Sequence, residues 1–107
     1  MIRYDGPVQS TSRTALEPLE IGGMQIAKGD RVSLTLGAAN RDPAQFSDPD
    51  RMDISRKDLR HVGFGFGIHF CLGSALARME SRLAIGAAGE RMPKLSLEST
   101  DLVWRDN

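Results

Sequence analysis

A chain of 107 residues carrying 14 Lys and Arg against 14 Asp and Glu has no formal net charge, so no global field draws it toward nucleic acid or an anionic membrane. Its length suits one domain able to bury roughly 60 to 70% of the unfolded surface, and two independent cores are not expected. A single cysteine excludes an internal disulfide, the start MIRYDGPVQS lacks the features of a secretory signal, and no run approaches the roughly 20 apolar residues of a membrane span, so a soluble protein of the reducing cytoplasm is expected.

In chain order, LEIGGMQIAKGDRVSL alternates apolar and polar residues around Gly22-Gly23 and again around Lys28-Gly29-Asp30. That pattern predicts a β-hairpin leading through a turn into another strand, with Leu34 and Leu36 pointing to one face. The next stretch, NRDPAQFSDPDRMDISRKDLR, sets Pro43 and Pro49 among many charges and predicts an irregular segment over residues 41–60. Loops of that length within a compact domain tend to be functional or disordered. From Leu72 the pattern turns helical: Leu72, Leu76, Met79 and Leu83 form one apolar stripe, and the helix is expected over residues 74–91, stopped by Pro93 and weakened by Gly86 and Gly89. The tail segments KLSLES and DLVW read as two short strands.

The only cysteine stands in FGFGIHFCLG. A lone cysteine between Phe70 and Leu72 is in general a small buried hydrophobe. Here it falls where a glycine-rich loop passes into the predicted helix, so first-turn amides and the positive end of the helix dipole are expected to favour thiolate over thiol. Such a thiolate suits a nucleophile, a redox sensor or a metal ligand, and Gly65, Gly67 and Gly73 leave room for something broad and flat close to the backbone. Zinc held by His61, His69 and Cys71 is the competing metal reading, against which stands the preference of structural zinc for four ligands.

Phe64, Gly67, His69, Cys71 and Gly73 match the haem-binding signature F-x-x-G-x-H-x-C-x-G of the cytochrome P-450 family, and LGSALARME resembles the helix that follows it. The resemblance implies an α+β fold class, namely the C-terminal proximal part of the soluble bacterial P-450 fold, incomplete at both ends. It implies a haem b cofactor (iron protoporphyrin IX) with Cys71 as axial ligand of the iron and as the catalytic residue, its thiolate pushing electron density onto the metal to favour O–O cleavage. Phe64 would shield the sulfur, Gly73 would admit the helix close to the porphyrin, and amides near Leu72 and Gly73 would tune the thiolate. His69 would reach a haem propionate, and Gly65, Gly67 and Ala77 would complete the cofactor contacts.

The resemblance extends to most of the chain. RYDGPVQSTSR resembles the end of the E-x-x-R helix and the strand after it, covering residues 1–13 and making Arg3 the motif's arginine, with its glutamate one residue before Met1. Residues 14–40 would be β-rich, 41–60 the family's meander, 61–73 the haem-binding loop, 74–91 the helix and 92–107 terminal strands. Arg13 aligns with an arginine that binds a propionate, residues 9–12 with a strand that meets substrate, and Arg51 with the arginine that completes a network with Arg3. Met52 stands where phenylalanine is usual. Nothing in the chain resembles the oxygen-activating helix or the roof of the distal pocket.

The function implied is insertion of one oxygen atom from O2 into a small organic substrate, with a ferredoxin or flavoprotein as electron donor docking near Arg78 or Arg82, and with no nucleic acid or membrane partner. Without the glutamate, Arg3 and Arg51 would bring two cations together, at a cost of about 3 to 5 kcal/mol against a domain stability of roughly 5 to 15. Each exposed leucine of the stripe would forfeit about 2 kcal/mol more, so this chain by itself is expected to be marginal and inactive as a monooxygenase. Two alternatives stand beside this reading: a haem-binding module that oxidises nothing, and a truncated product that is inactive on its own.

Overall fold

The computed structural model describes residues 1–57, 60–99 and 101. The chain divides into two compact units, Met1–Cys71 and Leu72–Asn107.

The first unit contains strands β1 (Thr11–Thr14), β2 (Leu19–Ile21), β3 (Met24–Ile26) and β4 (Arg31–Leu34), followed by a one-turn helix α1 (Leu36–Ala39). The strands form two separate antiparallel ribbons, β2 with β3 and β1 with β4. The first is the expected hairpin. Gly22 and Gly23, with φ of +57° and +80°, supply the two left-handed residues of a tight turn that matches strand twist. The second is non-local: Thr11 opposes Leu34 and Thr14 opposes Arg31.

Ala15 extends this ladder, receiving the Gly29 N–H on its carbonyl and donating its own N–H to Asp30. Gly29 (φ +94°) and the Asp30 carboxylate, which accepts the Ala27 N–H at 2.8 Å, shape the turn between. Ala15 is buried as a result. The expectation that Leu34 and Leu36 share a strand face is corrected, because Leu36 opens α1 instead. The Gly37 N–H donates to the Gln9 carbonyl at 3.0 Å, and the Gln9 side-chain amide presses where a Cβ on Gly37 would stand, so the backbone turns away from the ladder there.

The segment after α1 carries no helix or strand through residue 57 and is built of turns, as its prolines predict. Phe46 is drawn into the unit's interior, and Arg3, Ala15 and Asn40 are the other buried residues among those described.

The second unit is dominated by helix α2 (Ser74–Arg91), with the predicted bounds, capped by Gly73 at its start and Met92 before Pro93 at its end. Its apolar stripe is present but uncovered: Leu76, Met79 and Leu83 are exposed, as is Leu72 ahead of the helix. Residues 94–99 carry no strand, since alternation alone provides no partner for the backbone groups. The DLVW segment lies outside the described residues.

Candidate functional site

The cysteine loop is rooted in the interior of the first unit. At its base the Val62 N–H donates to the buried Asn40 side-chain carbonyl at 2.8 Å, and the Val62 carbonyl receives the Gly65 N–H at 2.8 Å. Gly63 lies so close to the start of the chain that a Cβ there would stand 2.7 Å from a methyl of Ile2 and 3.2 Å from the Ile2 carbonyl. The His61 Nδ1 accepts the Gly63 N–H at 3.1 Å, which ties the ring to the loop backbone.

From Phe64 the backbone runs out and returns, and the Cys71 N–H closes the excursion by donating to the Phe64 carbonyl at 2.8 Å. Two glycines shape the turn. Gly65 has φ +77°, and a Cβ on it would sit 2.6 Å from the His69 carbonyl, so its role is to let the loop cross itself. Gly67 has φ +59° with nothing within 4 Å of a Cβ, which is the open clearance expected. A short 3-10 turn over Gly67–His69 leads into Phe70, whose extended backbone brings the chain to Cys71. The Phe64 ring is half-buried, 6.0 Å from the His61 ring and 6.4 Å edge-on from that of Phe70. Phe66, Ile68 and His69 are exposed, and so is the free Cys71 thiol.

The loop therefore gathers Phe64, Gly65, Gly67, His69 and Cys71. Leu72, Gly73 and Ala77 belong to the second unit, where Gly73 caps α2 and accepts the Ala77 N–H at 2.9 Å. Arg13 stands on β1 with its guanidinium held locally by Thr11 Oγ1 at 3.2 Å and the Ser12 carbonyl at 2.8 Å. Gln9 donates its amide to the Gly6 carbonyl, while Ser10, Thr11 and Ser12 line an open polar groove of about 470 Å³ with Arg31 and Ser33.

A buried cation lies beneath the loop root. Arg3 donates to the Asn40 carbonyl at 2.7 Å and the Pro49 carbonyl at 2.9 Å, more weakly to that of Arg51 at 3.4 Å, and stacks over Phe46 with its carbon 5.0 Å from the ring centre. Burial, then the positive charges of Arg56 and Arg41, pull its pKa below the usual guanidinium value.

Arg51 thus joins Arg3 through its main chain, with an exposed side chain, and its own N–H closes a turn on the Asp48 carbonyl at 3.1 Å. The cations that press on Arg3 are others, and the sequence reading missed both. Arg56 donates to the Ser47 and Asp48 carbonyls while its Nε lies buried without a partner. Arg41 stacks on Tyr4 at 4.2 Å, donates to the Tyr4 carbonyl and pairs with Asp50 at 2.9 Å. Asn40 and Gly63 were missed as well. Their partners lie far along the chain, and the only available signal was the position of Asn40 just past a run of small residues.

The donor set fits a haem iron better than a bare ion. Among the described residues no group of three or more His, Cys, Asp or Glu stands together to hold a metal, whereas one exposed thiol beside open glycine backbone suits axial ligation of a flat cofactor.

Comparison with known proteins matches residues 1–88 to the family Cytochrome P-450. The chain is 49% identical over 104 residues to the biotin biosynthesis cytochrome P-450 of Bacillus subtilis, covering 97% of this chain and 26% of that protein. It is 47% identical over 110 residues to the cytochrome P-450 monooxygenase PikC of Streptomyces venezuelae, covering 100% of this chain and 26% of the relative. Among solved structures, the cytochrome P-450 PksS of the Bacillus subtilis bacillaene polyketide synthase superposes with a TM-score of 0.92 at 42% identity, over 99% of this chain and 28% of its own. The chain thus spans about a quarter of the length of the relatives it matches, its α+β elements are a part of their fold, and those relatives include monooxygenases. On the matched residues and the shared fold together, this chain belongs to the cytochrome P-450 family.

Proposed function

We propose that this chain forms the cysteine-ligand part of a haem-thiolate monooxygenase acting on a small organic substrate. One observation carries the reading: the free thiol of Cys71 is exposed at the end of a glycine loop whose return is fixed by the Cys71 N–H on the Phe64 carbonyl. Haem b, when bound, supplies activation of dioxygen and insertion of one of its oxygen atoms. Within the chain, Cys71 provides the sulfur ligand, and the half-buried Phe64, whose ring meets that of Phe70, is the candidate shield for the sulfur. Gly67, with open space where a Cβ would stand, leaves clearance for the cofactor beside the loop, while Gly65 serves it by letting the loop cross at the His69 carbonyl; Leu72, Gly73 and Ala77 are the second unit's candidates for contact with the same cofactor. His69 and Arg13 are the candidates for the two propionates, both being cationic or hydrogen-bonding groups beside the loop sequence or on β1.

Arg3, on the Pro49 and Arg51 carbonyls, and Arg56, on those of Ser47 and Asp48, hold the meander in place. The exposed Arg78 and Arg82 of α2 suit docking of an acidic ferredoxin or flavoprotein donor. The hydroxyl-lined groove of residues 10–12 is the chain's own contribution to substrate contact.

The test is the spectrum of the haem-loaded, reduced, carbon-monoxide-treated protein. A red-shifted Soret band in the unaltered protein, abolished by Cys71→Ala, is the expected result. A band that survives Cys71→Ala removes thiolate ligation, and a band without any substrate turnover leaves a haem-binding module in place of an enzyme.

A further inference from the structure

Asn40 is 2% exposed and touches three separated parts of the first unit. Its N–H donates to the Leu36 carbonyl at 2.9 Å, ending α1. Its own carbonyl accepts from the buried Arg3 at 2.7 Å. Its side-chain carbonyl accepts the Val62 N–H at 2.8 Å. The Val62 peptide is consequently gripped on both sides, by Asn40 on its N–H and by the Gly65 N–H on its carbonyl. Gly65 in turn sits against the His69 carbonyl, and the segment returning from His69 ends in the Cys71 N–H bonded to the Phe64 carbonyl. An unbroken path of short hydrogen bonds and one tight backbone crossing leads from Asn40 to the sulfur-bearing residue.

We infer that Asn40 is a positioning residue for Cys71: its side-chain carbonyl pins the root of the loop to the Arg3 centre and thereby sets where the thiol is presented. The inference rests on the proposed ligation by Cys71 for its functional meaning, but the coupling itself stands on this chain's own hydrogen bonds. A buried N–H is left unsatisfied when its acceptor is removed, whereas an acceptor of the same shape restores it. Asn40→Ala removes the acceptor, and Asn40→Asp keeps an oxygen at the same place.

The experiment is native-state amide exchange on the full 107-residue chain without cofactor. Expected for Asn40→Ala is a rise of roughly tenfold or more in exchange at Val62, Gly65 and Cys71, with the β2–β3 ribbon unchanged, and near-complete reversal in Asn40→Asp. Exchange raised uniformly across the unit, or unchanged at Cys71, or not restored by Asn40→Asp, overturns the assignment. Should Asn40→Ala fail to fold, Asn40→Asp decides alone, since protection at Cys71 lost in that variant also overturns it. In the haem-loaded protein, Asn40→Ala should convert a measurable fraction of the red-shifted carbon-monoxide band to the thiol-ligated position. A wild-type protein with no such band refutes the ligation by Cys71, while the exchange result still decides the role of Asn40.

Discussion

Gly65 and Gly67 look alike in the sequence and do different work. A side chain on Gly65 meets a backbone carbonyl as well as an unfavourable φ, whereas one on Gly67 meets only the φ. Gly65→Ala is therefore expected to cost at least the about 1 to 3 kcal/mol of a strained backbone plus the displacement of His69, and Gly67→Ala no more than the backbone part. Denaturant midpoints of the two cofactor-free variants should fall in that order; equal midpoints would show that the crossing at His69 relaxes freely. Asp53 allows a pH test. Hydrogen bonds from the Ser55 hydroxyl, then from its N–H, hold the carboxyl below its ordinary 3.8. Because the folded value is the lower one, the contribution is present above pH 3.8 and is lost as pH falls through the folded value. The stability difference between the wild type and Asp53→Ala should be constant near neutrality and shrink in acid, and a difference that persists in strong acid assigns it to something other than the charge.

At the level of elements, α2 is the clearest case of local determination. Its stripe, its two glycines and the stop at Pro93 all lie within one segment, and the observed Ser74–Arg91 follows them without help from distant residues. Gly86 and Gly89 have open space around a prospective Cβ and no left-handed φ. Gly86→Ala with Gly89→Ala should then add about 1 kcal/mol of helix stability each, read as a gain in far-ultraviolet helical signal and a raised midpoint for its loss. An unchanged signal would mean that the helix is held by something other than its own backbone. The β2–β3 hairpin was equally legible, because its Gly-Gly turn and flanking alternation are contiguous. The β1–β4 ribbon was not: its register is set by pairing across the intervening hairpin and by the Ala15 hydrogen bonds to the 27–30 turn.

On the scale of the whole chain, the buried set among the described residues is small, consisting of Arg3, Ala15, Asn40 and Phe46. Phe46 is 3% exposed and lies under the Arg3 guanidinium, so Phe46→Ala is expected to cost about 3 to 5 kcal/mol and to abolish the cooperative transition of the first unit. Leu83, 68% exposed on α2, should tolerate Leu83→Ala within about 0.5 kcal/mol in the same denaturant series. A large loss at Leu83 would reveal a covered stripe, and a small one at Phe46 would deny that this interior holds the unit together.

Sequence alone determined the features written in adjacent residues: the motif around Cys71, the helix with both its ends, the tight hairpin turn and the absence of regular structure from residue 41 to residue 57. These depend on dihedral preferences and short-range periodicity, which a local string encodes. Only the folded chain decided that Arg3 is met by the Arg51 carbonyl and by Arg56 charge, that Gly63 makes room for Ile2, and that Asn40 ties the cysteine loop to both. Those relations join residues some twenty to sixty positions apart, and a buried donor takes whichever acceptor the packed backbone brings within about 3 Å, a choice that no spacing in the sequence records.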